Sequence, residues 1–166
     1  MTRPGYHLAE LNIGRLIAPP DDPRVAEFIN AIDGINAIGK RMPGFVWMME
    51  GSGGPGNVDT RGSIEGDPNA IVNLTVWEDV NSLEHFVFNT MHKKIYDRRE
   101  AWFEVFGKPH FVMWWVPAGH RPTQDEALAR LDHLRAHGDS DHAFGWSYLT
   151  EARLWRTHQC GQVAAE

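Results

Sequence analysis

Cysteine is nearly missing from this chain: Cys160 stands alone among 166 residues. A lone thiol excludes an internal disulfide, so the apolar core alone must hold the fold, and such usage suits a reducing compartment. Long hydrophobic runs are missing too. No stretch approaches the length that spans a bilayer, and "MTRPGYHLAEL" at the start lacks the apolar centre of a signal peptide. Positive charge is scarce, with 16 Lys and Arg against 22 Asp and Glu, a net charge of −6. With no basic run, a nucleic-acid partner is not expected. Together these absences point to a soluble, cytoplasmic protein with no membrane or nucleic-acid partner.

What is plentiful is tryptophan, seven residues in all. Trp47, Trp77, Trp114 and Trp115 fall in runs that read as strands. Side chains of that size fill cores or line interfaces and pockets.

The chain reads as alternating elements. "YHLAELNI" (6–13) alternates as a strand. Asp22 and Pro23 suit a helix N-terminus, and Val25, Phe28, Ile29, Ile32 and Ile35 then recur at helical spacing to about Gly39. "FVWMME" (45–50) is a second strand. Residues 51–69 have no apolar period and read as a loop long enough to serve as a flap or lid. "IVNLTVW" (71–77) is a third strand. A single helix is expected from an Asn81/Glu84 capping pair to about Phe106, stopped by Gly107-Lys108-Pro109. "HFVMWWV" (110–116) is the fourth strand. Thr123 and Glu126 form a capping box for a further helix over 123–137.

The order β-α-β-β-α-β is ferredoxin-like, an α+β fold with an antiparallel four-stranded sheet and both main helices on one face. An antiparallel sheet normally leaves its other face polar. "FVWMM" and "FVMWWV" are apolar on both faces, so both need cover. A second copy of the sheet would supply it, making a homodimer in the form of a dimeric α/β barrel; the alternative is that the C-terminal segment folds over that face. The domain then runs over 1–138, including the extra helix, and 139–166 is an aromatic extension that packs on the domain or on a partner.

The helix "MHKKIYDRREAWF" raises the functional question. At 100° per residue, Phe88, His92, Ile95, Tyr96, Arg99, Trp102, Phe103 and Phe106 share one stripe. That stripe therefore buries a histidine and an arginine. A buried guanidinium needs acceptors or an anion, and a buried imidazole needs a partner for at least one nitrogen. Asn36 sits within the apolar stripe of the first helix. Asn73, Thr75 and Trp77 share one face of the third strand, and Asn12 shares a face with Leu8 and Glu10 on the first. These two strands are central neighbours in the fold, so Asn12, Asn36, Asn73, His92 and Arg99 converge between sheet and helices, ringed by Trp77, Tyr96, Trp102 and Phe103. An apolar pocket with a few convergent polar groups is a small-molecule site. The competing reading is a buried polar network that fixes packing in a non-catalytic, ligand-binding or structural dimer.

"NLTVWEDVNSLEHFVFNTMHKKIYDRREAWFE" resembles the strand-then-helix segment of the dimeric α/β-barrel superfamily, which includes antibiotic biosynthesis monooxygenases and haem-degrading monooxygenases. "GFVWMME", "EAWF" and "WWVPAGHRPTQDEAL" resemble more specifically an uncharacterised branch, known as a domain of unknown function, over roughly residues 6–145. The resemblance implies the same fold and dimer, and an enzyme of oxidoreductase type in secondary metabolism. In that reading Trp77 and Trp102 stack on an aromatic or polyketide-like substrate. Asn12, Asn36 and Asn73 hold its oxygens, Arg99 stabilises a developing enolate or phenolate, and His92 is the acid or base. Such oxygenation needs no protein-bound cofactor, and the same parts serve a cyclase or isomerase. A haem reading puts His92 on iron as axial ligand with Arg99 at a propionate.

Other motifs carry less. "GSGGPG" (51–56) fits G-x-G-x-x-G but opens no helix, so it is not a dinucleotide site. His133 and His137 have the spacing of a metal-binding pair, but they read as a solvated face, so no metal is expected. His120 reads as a turn residue and Cys160 as unreactive. Glu10 is the one strand carboxylate that could point inward, with a rim position the alternative.

Overall fold

The structure is a computed structural model that describes residues 3–50 and 67–163. The greater part of the 51–69 loop and the side chain of Cys160 lie outside the described residues. Four antiparallel strands, β1 (Tyr6–Arg15), β2 (Phe45–Met48), β3 (Ala70–Trp77) and β4 (Phe111–Pro117), form one sheet in the order β2-β3-β1-β4. This is the ferredoxin-like arrangement. In the register, Leu8 faces Trp77, Glu10 faces Thr75 and Asn12 faces Asn73 across the β1–β3 pair. Alternation then sends Leu8, Glu10 and Asn12 to one face and Ala9, Leu11 and Ile13 to the other.

The first face lies under α1 (Ala26–Arg41) and α2 (Val80–Asn89). Helix α1 begins later than Asp22-Pro23 suggested. The Asp22 carboxylate accepts the Arg24 N–H at 2.9 Å and closes a turn ahead of the helix. Nor does α2 use the Asn81/Glu84 pair: Asp79 is the N-cap, accepting the Ser82 N–H.

The single helix expected from 81 to 106 is broken. Helix α2 stops at Asn89, α3 spans His92–Asp97, and a 3-10 turn holds Arg99–Ala101. Thr90 makes the break. Its hydroxyl donates to the Phe86 carbonyl at 2.7 Å and accepts the His92 N–H at 3.1 Å. A side chain that satisfies both backbone groups competes directly with helix continuation. Phe103 then pairs with Leu16 in a short bridge beside the sheet.

The second face is covered within the chain. Helix α4 (Gln124–His137) packs Ala127, Leu131 and Leu134 against Ala9, Leu11, Val112, Trp114 and Val116. The capping box works at its Thr123 end, where the hydroxyl accepts the Glu126 N–H. The Glu126 carboxylate turns elsewhere, to Trp114 Nε1 and His120 Nε2. Over β4 and β1, the apolar face that called for a second copy is therefore covered by α4, while Val46, Trp47 and Met49 at the β2 edge stay only partly buried. On the surface of α4, the His133 ring lies 4.5 Å from those of both His137 and His142.

The aromatic extension packs on its own domain, over the edge of β4 and onto α2. Phe144 bridges to Met113, and Trp146 stacks on Phe111 at 5.5 Å. Helix α5 (Arg153–Val163) is capped by a side chain from another helix. Glu84 of α2, 2% exposed, accepts the Trp155 N–H at 2.9 Å and the N–H groups of Arg153 and Leu154. These are the orphan donors of a helix start, and an anion there also meets the positive end of the helix. Glu84→Ala should lower unfolding free energy by about 1–2 kcal/mol. Urea denaturation with amide exchange should place the loss in α5; unchanged protection there would contradict the cap.

Candidate functional site

A cavity of about 250 Å³ opens between the sheet, α1 and the α3 segment. Its floor is the end of the β1–β3 pair, where Asn12, Asn73, Ile71 and Gly14 face inward. Helix α1 contributes Phe28, Ile32, Ile35 and Asn36. The α3 side contributes His92, Ile95, Tyr96 and Arg99, and the segment after it Glu100, Phe103, Glu104, Phe106 and His110. Gly14 has a steric role here. A Cβ at that position would lie 2.6 Å from the Phe103 ring, so glycine lets Phe103 rest on the strand as a wall of the cavity.

Arg99 reaches this space from the 3-10 turn. Its Nη1 donates to the Tyr96 carbonyl at 2.9 Å, and its guanidinium lies 4.6 Å from the centre of the Tyr96 ring. Among the described residues no carboxylate pairs with it. A carbonyl and a ring face leave most of its five N–H donors for another acceptor. Neighbouring arginines are committed: Arg98 is bound to Glu27, and Arg15 to Asp67 and Glu104.

His92 is half-buried, its ring 4.8 Å from that of Phe86, and its Nδ1 lies 3.4 Å from the Val87 carbonyl. A carbonyl can only accept, so Nδ1 carries the hydrogen and Nε2 keeps a lone pair. Loss of solvent outweighs that hydrogen bond and lowers the pKa from 6.5 to about 4. The imidazole is therefore neutral at physiological pH. This narrows the role of acid or base expected from sequence: a resting neutral ring can accept a proton but has none to spare as an acid. Burial, and next Arg99, push the His110 ring below the usual histidine range as well.

The structure brings Asn12, Asn36, Asn73, His92, Tyr96, Arg99 and Phe103 to one cavity. It does not bring Trp77 or Trp102 there. Trp77 is fully buried, stacked on Phe86 at 5.2 Å and edge-on to Phe45, with Nε1 donating to Thr75. Trp102, 2% exposed, packs with Leu16, Val25 and Ile32 behind the cavity. Both indoles are core, and the substrate-stacking role expected of them is corrected: the aromatic walls are Phe28, Tyr96, Phe103 and Phe106. Sequence reading gave Phe28 and Phe106 as apolar stripe residues without assigning them to the site. Gly14 had a signal, standing two residues from Asn12 on the same face. His110, at the entry to β4, had none.

Glu10 points inward, 6% exposed. Thr75 Oγ1 donates to its Oε1 at 2.8 Å and itself receives Trp77 Nε1–H at 2.8 Å. Burial raises its pKa from 4.5 to about 7, against the lowering effect of the Thr75 bond.

Comparison with known proteins places this chain in a family. One family model matches residues 7–160. The chain belongs to the family described as Domain of unknown function (DUF3291). The match runs through α4 and into α5, so the family unit includes the aromatic extension. No curated protein matches. Among solved structures, PA3566 from Pseudomonas aeruginosa is similar at 14% identity, covering 69% of this chain and 95% of its own, with a TM-score of 0.44. NE2512 from Nitrosomonas europaea, a protein of unknown function, is 8% identical over 72% of this chain and 95% of its own, TM-score 0.44. A putative antibiotic biosynthesis monooxygenase from Chloroflexus aurantiacus J-10-fl is 18% identical over 70% of this chain and 97% of its own, TM-score 0.42.

Two titrating groups of this family member, Glu10 and His92, act on stability with opposite sign. Glu10 has a raised pKa, so its contribution is complete below pH 4.5 and is lost as pH rises through 7. His92 has a lowered pKa, so its contribution is complete above pH 6.5 and is lost as pH falls through 4. Glu10→Gln should abolish the alkaline loss. Relative to that variant, the wild type should lose stability between pH 5 and 8, by at most about 3 kcal/mol. Parallel stability curves for the two proteins would contradict a buried Glu10.

Proposed function

We propose that the cavity binds an aromatic or polyketide-like small molecule with an acidic oxygen or C–H group, and that His92 takes its proton while Arg99 holds the resulting anion. One observation carries this: an arginine without a carboxylate partner among the described residues shares an aromatic-walled cavity with a neutral imidazole. Aromatic walls favour a flat ligand. The amides of Asn12, Asn36 and Asn73 offer both donors and acceptors to carbonyl and hydroxyl oxygens. An enolate or phenolate next to a guanidinium, away from water, is stabilised more than its neutral parent, and that difference lowers a barrier. An electron-rich anion of this kind can react with dioxygen as in a monooxygenase, and the same proton transfer would begin a cyclisation or an isomerisation.

The cavity fits haem poorly. A four-pyrrole macrocycle is far larger than the flat one- or two-ring body that a cavity of about 250 Å³ admits, and the Phe86 ring lies tilted against that of His92 at 4.8 Å. No step is therefore routed through iron. Among the described residues no helix is long and apolar enough to cross a membrane, and no group of three His, Cys, Asp or Glu side chains is placed to hold a metal ion. The homodimer stands apart from this reading: with α4 on the sheet, ligand binding asks nothing of a second copy, and sedimentation equilibrium decides between one chain and two.

Two probes test the site. For 2-naphthoate, Arg99→Gln should weaken binding about 10- to 100-fold, the worth of a charge-assisted hydrogen bond, while neutral 2-naphthamide changes little. Unfolding free energy should stay within about 0.5 kcal/mol. A variant that loses stability without losing a ligand would make the cluster a packing network. For 2-tetralone, an enolisable aromatic ketone, the protein should speed exchange of the acidic C–H for deuterium, followed by NMR. His92→Ala should slow it about 100-fold. The rate should be flat from pH 5 to 7 and fall only near pH 4, where His92 gains its proton. An inflection near 6.5 would contradict the burial of His92, and a rate unchanged in His92→Ala would assign the base to another group.

A further inference from the structure

Glu10 takes no part in the chemistry proposed above, yet it lies next to it. It shares its sheet face with Asn12, about 7 Å away along β1. Across the pair, Asn12 faces Asn73 and Glu10 faces Thr75. The Asn12–Asn73 rung lines the cavity; the Glu10–Thr75 rung is the next one inward. Glu10 receives one hydrogen bond, from Thr75 to Oε1. Its Oε2 is buried and has no hydrogen-bond partner among the described residues. A carboxylate has two oxygens to satisfy, and one donor is supplied. Among the described residues no cation pairs with it either. On β4, Met113 lies opposite Glu10, and α1 and α2 bring Ile35, Ile38 and Phe86 to this region of the core. The charged and titratable groups that line the adjoining cavity are His92, Tyr96, Arg99, Glu100, Glu104 and His110.

We infer that Glu10 is a proton-holding residue beside the cavity: an anion seated at Arg99 favours the protonated form of Glu10, so anion binding takes up a proton. The inference rests on the anion-binding reading above. Its basis is geometric. The cavity begins at the rung next to Glu10, so a charged Glu10 and an anion held in that cavity, partly screened, repel enough to weaken binding on the order of tenfold. The protonated acid removes that repulsion and needs one donor fewer. Burial holds this carboxyl near neutrality, so the exchange falls in the range where the ligand is already ionised. His110 and His92 are pushed to more acid pH, which separates their uptake from that of Glu10. Glu100 and Glu104 line the cavity in both proteins compared, so their charge cancels in the comparison.

Titration calorimetry with 2-naphthoate, in buffers of different ionisation heat, tests this. At pH 7.5 the wild type should take up about half a proton per anion bound, and its Kd should rise about tenfold between pH 6 and 9. In Glu10→Gln, an isostere of the neutral acid, uptake should vanish and Kd stay level. A second measurement needs no variant: the infrared band of a protonated carboxyl should grow when naphthoate binds the wild type at pH 8. Equal uptake in both proteins, or a band that does not change, overturns the role of Glu10 and leaves the cavity reading standing. No naphthoate binding at any pH overturns the cavity reading and this inference together.

Discussion

Asn12 lies directly across from Asn73 in the pairing of β1 with β3, and the rest of the site depends on that register. Two central strands each spend a core-facing position on an amide, and a slip of one residue would turn both to the α4 face. There they would meet Leu131 and Trp114 with no polar partner. The register is held from both sides, because apolar residues (Ala9, Leu11, Ile13, Val72, Leu74 and Val76) occupy the alternate positions and are buried on the other face. Closing the second face therefore also fixes where the cavity floor points. Above that floor, Gly14 admits Phe103 and Thr90 redirects the chain, so that the helix does not simply run over the opening.

The charge pattern follows from the same layering. Moving inward from the mouth, the groups pass from ion-paired Arg15 and Glu104, through Arg99 held by a carbonyl and a ring, to His92 and Glu10. Each step inward removes water, and the inner groups respond by favouring their neutral forms. The imidazole loses its proton and the carboxyl keeps one. Among the described residues that line the cavity, Arg99 is thus left as the cation without a carboxylate partner. A site of that kind prefers a single negative charge on a flat, apolar body, since a second charge would meet no cation.

Much of this was legible in the sequence, for definite reasons. Alternation in "YHLAELNI" and "IVNLTVW" places Asn12 and Asn73 on one face, and the ferredoxin-like order makes the strands neighbours, so the polar rung could be read without coordinates. The stripe argument also put His92 and Arg99 inward, although the helix it assumed is interrupted at Thr90. Both residues still line the cavity. The illegible parts are those set by contacts distant in sequence. Glu84 looked like half of a local capping box, whereas its partners are the N–H groups at the start of α5, 71 residues away for Trp155. Helix α4 showed a narrow leucine stripe and no sign of which surface it would cover, so a second copy was expected on a face that α4 takes. Trp77 and Trp102 carry the size and position of ligand-stacking residues, but Phe86, Thr75 and Leu16 enclose them. Burial of a large ring is decided by its neighbours, which a strand pattern does not report.

The most direct measurement of the central claim is a crystal structure of the protein with 2-naphthoate bound. The account predicts the carboxylate on the Arg99 guanidinium at hydrogen-bond distance, with the rings between Phe28 and Phe103 above the Asn12–Asn73 rung. A naphthoate bound elsewhere, or an Arg99 turned out of the cavity into a pair with a protein carboxylate, would contradict it.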